Sequence, residues 1–293
     1  MLYLPGITQF GLKNKNMKQS FDFPDIDKLL WSAIQASIHA GVAIMAVYNS
    51  TYSVEFKSDN SPLTIADKNA HDIIDESLRF HKIPLLSEEG EKIPFTTRKN
   101  WRLLWIVDPL DGTKEFVKHN DEFTVNLALI YENQPILGVV YCPPLKTLYF
   151  ANSNINGAFK TVLIEGHPIN LSELIAISEK LPLTGTSSTF TVVASRTHLN
   201  EETAGFIADL KRNHDPILQI SKGSSLKFCL VAEGLADIYP RFAPTCEWDT
   251  AAAQAIVHFA GGEVVDANTN LPLTYNKENL LNPSFIVRSK KVG

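Results

Sequence analysis

Apolar residues recur at two rhythms along this chain. Over 25–48 they return every third or fourth position, with Leu29, Leu30, Ala33, Ile34, Ile38 and Val42 on one side, which predicts a long amphipathic helix. A second such stretch, 66–80, carries Ile73, Ile74 and Leu78. Short apolar, β-branched runs then predict strands at 83–86, 103–107, 124–131 and 136–141, the last two joined as a hairpin through Glu132-Asn133-Gln134-Pro135. Pro109 is expected to end the strand that begins at Leu103, since it cannot donate to a ladder.

Between 153 and 191 the pattern loosens into Asn, Gly, Ser and Pro clusters, and a boundary is expected in this stretch. Alternation then resumes. Strands are expected at 190–195, 217–220, 236–239, 263–265 and 285–287, and helices at 203–213, 224–232 and 250–260, the last stopped by Gly261-Gly262. The division that follows is a tail over 1–24, a subdomain over 25–160 and a second over 161–293. Alternating helices and strands in two halves imply layered sheets and helices with a cleft between them.

Composition narrows the function. The chain has 293 residues with a net charge of −5, and no basic block offers itself to a nucleic acid polymer. Three scattered cysteines, Cys142, Cys229 and Cys246, suggest neither a disulfide framework nor a zinc knuckle, and a reducing cytoplasmic setting fits them. No unbroken apolar run approaches the roughly 20 residues that span a bilayer, so no transmembrane segment is expected; loose membrane association stays open. The first residues run from apolar to basic, the reverse of a secretory signal, and Met17 stands as an alternative start.

Three acidic stations follow apolar elements: Ser87-Glu88-Glu89-Gly90, Asp108-Pro109-Leu110-Asp111-Gly112-Thr113 and Trp248-Asp249-Thr250. Singly, each has an ordinary reading: a solvated loop for Glu88-Glu89, a turn for D-P-x-D-G, a helix N-cap for Asp249. Together they sit at the ends of apolar elements, where α/β proteins collect ligands. In the second, two carboxylates and the Leu110 carbonyl precede the backbone amides of Gly112 and Thr113. Such a set suits a hard cation together with a phosphate, since Mg²⁺ takes oxygen ligands and shares them with phosphate oxygens.

With Leu86-Ser87-Glu88-Glu89, 107–116 (VDPLDGTKEF), 122–129 (EFTVNLAL), Gly138-Val139-Val140-Tyr141, 223–234 (GSSLKFCLVAEG), Tyr239-Pro240-Arg241-Phe242 and Trp248-Asp249-Thr250-Ala251-Ala252, the chain resembles the inositol monophosphatase superfamily, most closely its CysQ branch of 3′(2′),5′-bisphosphate nucleotidases. The resemblance runs from about Asp59 to the C-terminus, apart from 153–191. It implies an αβαβα sandwich and a lithium-sensitive phosphatase with two or three Mg²⁺ ions. Carried over by position, Glu88, Asp108, the Leu110 carbonyl, Asp111 and Asp249 would be the metal ligands, with Asp67 and Thr113 activating water. Ser195, His198, Gly223, Ser225, Lys227 and Arg241 would face a nucleotide, alongside Asp111, Gly112, Thr113 and Asp249. The implied reaction is hydrolysis of adenosine 3′,5′-bisphosphate to AMP and phosphate, in sulfur metabolism, with the 3′-phosphosulfate analogue as a further substrate. Inositol phosphates or sugar bisphosphates remain alternatives, as does a non-catalytic metal- or nucleotide-binding regulator. Monomer and homodimer are both open.

Overall fold

The computed structural model describes residues 24–50, 62–155, 157–164, 169–183, 189–194 and 200–292. The expected tail up to residue 23, together with Ser195 and His198, lies outside them.

Two helices lead, α1 (Ile26–Tyr48) and α2 (Pro62–Leu78). Asp25 caps α1 by accepting from the amides of Asp27 (3.2 Å) and Lys28 (3.3 Å). The buried face of α1 holds Leu29, Leu30, Ala33 and Ile34 as expected, then follows Ser37, Gly41, Ile44 and Tyr48. Val42, expected on that face, is 65% exposed. The reason is helical pitch: steps of four residues advance about 400°, so a face traced at i+4 drifts by about 40° each time and leaves the core. By length and composition α1 is apolar enough to cross a membrane, which a search for unbroken apolar runs does not register. Here its buried residues join α2 and the first sheet in one apolar cluster.

That sheet is built from β1 (Leu85–Ser87), then, after the short α3 (Phe95–Arg98), β2 (Leu103–Asp111). Beyond α4 (Thr113–Val117) come β3 (Thr124–Tyr131), β4 (Gln134–Cys142), β5 (Thr147–Asn152) and β6 (Gly157–Val162). After α5 (Leu171–Ala176), β7 (Glu179–Leu181) completes it in the sequential order β1 to β7. Only the β1–β2 pair is parallel. The hairpin turn between β3 and β4 is shorter than expected, with Glu132 (φ 47°) and Asn133 (φ 65°) in left-handed conformation, so Pro135 lies inside β4.

The second sheet takes β8 (Phe190–Ala194), β9 (Ile217–Ser221), β10 (Ile238–Arg241), β11 (Glu263–Asp266) and β12 (Phe285–Arg288), in the order β11-β12-β10-β8-β9. Its helices are α6 (Glu201–Leu210), α7 (Leu226–Glu233) and α8 (Ala251–Phe259). The chain passes from one sheet to the other between Leu181 and Phe190, inside the loosely patterned stretch and after residue 160.

The layers follow from which apolar face meets which. Trp105, Val107, Leu127 and Leu129 face α1 and α2. Leu104, Ile106, Ala128 and Ile130 point the other way and share a cluster with α7, α8 and the inner residues Tyr239, Phe285 and Val287 of the second sheet. The opposite face of that sheet, Val192, Ile238 and Ile286, packs on Ile207 of α6. The result is the expected αβαβα sandwich. Gly138 of β4 permits the closest inter-layer approach, because a Cβ there would collide with the Ala252 carbonyl of α8 and lie 2.8 Å from the Ala255 Cβ.

Candidate active site

Pro109 does not end β2, which continues to Asp111. Instead the register breaks: Asp108 pairs with Asn126 and Asp111 with Thr124, leaving Pro109 and Leu110 opposite Val125 alone. This is a two-against-one bulge placed where proline's missing N–H is harmless. Regular alternation would send Asp108 and Asp111 to opposite faces, since they are three residues apart. With the extra residue, Leu110 joins the α1–α2 cluster, and Asp111 returns to the side of Asp108.

Beside this bulge, β1 delivers Glu88, whose amide donates to the Val107 carbonyl at 3.2 Å. The third carboxylate, Asp249, ends a 3₁₀ turn, Glu247–Asp249, just ahead of α8. It does not cap α8 as an isolated reading would have it. Its Oδ2 accepts from the Cys246 amide at 2.8 Å, looking back into its own turn. Carboxylate oxygens of Glu88, Asp108 and Asp249 lie within 4.8 Å of one another. The cluster thus draws on stations up to 161 residues apart in sequence (249 − 88).

Asp111 is held differently. Its Oδ2 accepts from the Ser224 hydroxyl (2.6 Å) and the Ser225 amide (2.8 Å), and lies near Ser225 Oγ (3.1 Å) and Asn126 Nδ2 (3.3 Å). With one oxygen so occupied, the other is the one available to a cation. Ser225, expected to line the substrate pocket, is buried; its hydroxyl lies between Asp111 and the Asp249 carbonyl (3.2 Å) and can donate to one at a time. Asn126 donates to Ser225 Oγ at 3.0 Å, and the buried Glu122 accepts from the Gly223 amide at 2.8 Å. Asn126, Ser224 and Glu122 escape a search for acidic stations, although each falls in a stretch quoted for the family resemblance. An Asn within the otherwise apolar TVNLALIY run was the available signal for the first.

The electrostatics are those of a site built around a positive charge. Burial, then Asp111 and Glu88, drives Asp108 well above the usual carboxylate range. Asp249 is pushed up to about 7 by burial and next by Asp111. Glu88 rises to about 7 through burial of its carboxyl and then the charges of Asp249 and Asp111, although the residue as a whole is exposed. Asp67, on α2, is pushed up to about 8 by burial, Glu89 and Glu88. Its buried Oδ1 finds no protein hydrogen-bond partner. An all-oxygen donor set, mutual repulsion and an orphaned buried carboxylate oxygen fit a hard divalent cation.

A cavity of about 200 Å³ opens on this cluster, lined among others by Asp111, Gly112, Thr113, Lys227, Arg241 and Asp249. Gly112 (φ 99°) starts α4, and a Cβ there would lie 3.2 Å from the Phe123 Cα. The backbone amides of α4's first turn are left without helical acceptors. Lys227, on α7 and buried, donates to the Ser224 carbonyl at 2.6 Å, with its Nζ 5.6 Å from the Tyr239 ring centre. Burial lowers it to about 8, with Asp111 pulling the other way. Arg241 turns onto its own loop, toward the carbonyls of Ala243 (3.2 Å) and Pro244 (3.4 Å). Gly223 lines the same cavity.

Known proteins resemble this chain over most of its length. The profile of the inositol monophosphatase family matches residues 25–291. The 3′(2′),5′-bisphosphate nucleotidase CysQ of Salmonella typhimurium is 42% identical over 263 residues, covering 88% of this chain and 99% of that protein. Its counterpart in Escherichia coli K12 is 42% identical over 264 residues, with the same coverage. Among solved structures, CysQ from Bacteroides thetaiotaomicron superposes with a TM-score of 0.86 at 51% identity, covering 90% of this chain and 98% of that one. SuhB of Mycobacterium tuberculosis, at 21% identity and a TM-score of 0.64, shares the fold.

Proposed function

The chain belongs to the inositol monophosphatase family, and from that premise we propose that it is a Mg²⁺-dependent 3′(2′),5′-bisphosphate nucleotidase. Its reaction would be adenosine 3′,5′-bisphosphate plus water giving AMP and inorganic phosphate, with the 3′-phosphosulfate analogue treated likewise. The observation that carries the reading is one cavity lined both by carboxylates, Asp111 and the Asp249 of the Glu88–Asp108–Asp249 cluster, and by two cationic side chains, Lys227 and Arg241. A substrate with two phosphates matches such a cavity better than one with a single phosphate. The nucleotidase relatives, alike along almost their whole length, support the same choice.

Glu88, Asp108, Asp111, Asp249 and the Leu110 carbonyl are the residues that would hold two or three Mg²⁺ ions. Bound there, Mg²⁺ would offset the carboxylates' repulsion, neutralise phosphoryl oxygens and acidify water. The chain supplies the rest. Gly112 and Thr113 offer amides to the scissile phosphate, and the buried Oδ1 of Asp67 is the acceptor for the proton of the attacking water, with Thr113 orienting it. Water adds to phosphorus in line as the P–O bond to the ribose breaks, and the departing oxygen takes a proton. Lys227 and Arg241 grip the phosphate that is not cleaved. Gly223 sits beside them; Ser195 and His198 belong to the same proposed pocket by resemblance. A cytoplasmic setting, sensitivity to lithium, and a monomer or homodimer complete the reading.

Phosphate release from adenosine 3′,5′-bisphosphate and from inositol 1-phosphate, with Mg²⁺ and with EDTA, is the test. Strong preference for the nucleotide and loss of turnover in EDTA are expected. Preference for inositol phosphate would remove the substrate assignment, and turnover in EDTA would remove the mechanism.

A further inference from the structure

Asp249 does not reach the cluster on α8 or on a strand; it stands at the end of a three-residue 3₁₀ turn. Something must fix that turn, because a carboxylate on a mobile loop loses the geometry a cation requires. The contacts converge on one residue 33 positions onward (282 − 249), Asn282, which is only 9% exposed.

The amide of Asn282 donates to the Thr245 carbonyl at 2.8 Å. That carbonyl shares a rigid peptide plane with the Cys246 N–H, and the Cys246 N–H is the donor that holds Asp249 Oδ2 at 2.8 Å. Orienting one end of the plane therefore aims the other. The side-chain Nδ2 of Asn282 then reaches the Cys246 carbonyl (2.7 Å), Thr250 Oγ1 (3.0 Å) and Thr245 Oγ1 (3.2 Å). All three partners accept hydrogen bonds, so the amide's nitrogen, and not its oxygen, faces the turn. Asn282 thus grips the residues on both sides of Asp249 without touching its carboxylate.

The segment bearing Asn282 is itself tied down. Glu247, fully buried inside the same turn, accepts from the amides of Asn276 (2.6 Å) and Lys277 (2.9 Å) and from Lys277 Nζ (2.7 Å). In return the Glu247 amide donates to the Leu280 carbonyl at 2.9 Å. Behind it, the buried Arg98 of α3 donates to Asn276 Oδ1 (3.0 Å) and the Glu278 carbonyl (2.9 Å). The strap 276–282 is therefore anchored to the first half of the chain while it holds the turn.

We propose that Asn282 is a positioning residue for Asp249, setting cation affinity through the Thr245–Cys246 peptide and its neighbours. The proposal rests on Asp249 being a cation ligand. Its test is calorimetric titration of Mg²⁺ into substrate-free protein, for wild type, Asn282→Ala, Asn282→Ser and Asn152→Ala. The buried Asn152 of β5 donates to Asp27 Oδ1 at 2.8 Å and accepts from the amides of Asn154 and Ile155, both at 2.9 Å, none of them in the turn or the strap, so Asn152→Ala serves as a destabilised control that leaves the turn alone. Asn282→Ala is expected to weaken Mg²⁺ about 10- to 100-fold. Asn282→Ser, which keeps one donor, should fall between it and wild type, and Asn152→Ala should bind as wild type does despite a lower melting temperature. At saturating Mg²⁺, kcat of the Asn282 variants should recover to within a few-fold and KM stay unchanged.

Equal Mg²⁺ affinity in Asn282→Ala and wild type would overturn the proposal. Equal weakening in Asn152→Ala would also overturn it, by reducing the effect to general instability. A wild type that does not bind Mg²⁺ would instead overturn the functional reading on which it stands. If Asn282→Ala does not fold, Asn282→Ser against Asn152→Ala decides alone by the same criteria.

Discussion

Asp67 allows the site's electrostatics to be measured through stability. Its carboxyl, 7% exposed, is pushed up to about 8 from an ordinary 3.8. In the metal-free protein it therefore keeps its proton across neutral pH, whereas the unfolded chain has already released it. Unfolding then releases a proton, so stability falls as pH rises, by about 1.4 kcal/mol per unit, until the folded group ionises near pH 8. Between pH 6.0 and 8.5 this amounts to about 2.5 kcal/mol, or roughly 4 °C in melting temperature for a chain of this size. Other groups titrate in or beside this window. Glu88 and Asp249, both raised to about 7, and Asp108, raised well above the carboxylate range, weaken the fold as pH rises in the same sense as Asp67. His81 and His258 are lowered by burial, and Lys227 is lowered to about 8, so these three favour the fold as pH rises. Asp67→Asn retains all of them, so its difference from wild type reports Asp67 together with its repulsion of Glu88 and Asp108. The assay is a melt in EDTA at both pH values for wild type and Asp67→Asn. Wild type should lose several degrees more than the variant on going to pH 8.5. Parallel losses within about 1 °C would refute the assignment of a high-pKa carboxyl to Asp67.

Saturating Mg²⁺ should raise the wild-type melting temperature at pH 8 far more than at pH 5.5, where the cluster carries protons; a scan at each pH with and without the ion checks it. Lys227→Ala and Arg241→Ala should raise KM for adenosine 3′,5′-bisphosphate at least 10-fold while changing KM for a simple phosphomonoester little, and equal effects would place both residues outside the second-phosphate site. Asp108→Asn should abolish phosphate release yet leave the metal-free melting temperature at or above wild type, because it replaces with a neutral amide a carboxyl that folding must keep from ionising; a large loss of stability would contradict that balance. Gly138→Ala should cost about 3 kcal/mol by overpacking β4 against α8, read by chemical denaturation.

What the sequence disclosed depended on the range over which each cause acts. The three acidic stations were legible because each is a local event, an apolar element followed by carboxylates. The helix of 25–48 was legible too, yet Val42 was assigned to the wrong face because a four-residue step outruns the true pitch. Pro109 was read as a strand end, since proline's missing donor is a local fact, while the bulge that absorbs it depends on Val125 of the next strand. Strands β5 to β7 went unread. β5 was passed over altogether, and the Asn and Gly clusters around β6 and β7 hide segments whose pairing is supplied by neighbours already in the sheet. Family resemblance points Ser225 at the ligand; only the fold reveals that its hydroxyl turns inward to Asp111. Glu247 and Asn282 carried no local signal at all. Their meaning arises from partners about 30 residues away.

The bulge in β2 also governs how this segment can change. A substitution at Leu110 alters volume, but a deletion there would restore simple alternation and turn Asp111 from the cavity toward the apolar cluster of α1 and α2. A carboxylate would then be driven among Val107, Phe123 and Val125 while the serines of the α7 loop lost their acceptor. An insertion would reverse the face again. Leu110 is therefore tolerant in composition, while the stretch from Asp108 to Asp111 is intolerant in length. Among variants of this chain, single-residue insertions and deletions within it should be lost from any library selected for activity, while substitutions at Leu110 survive.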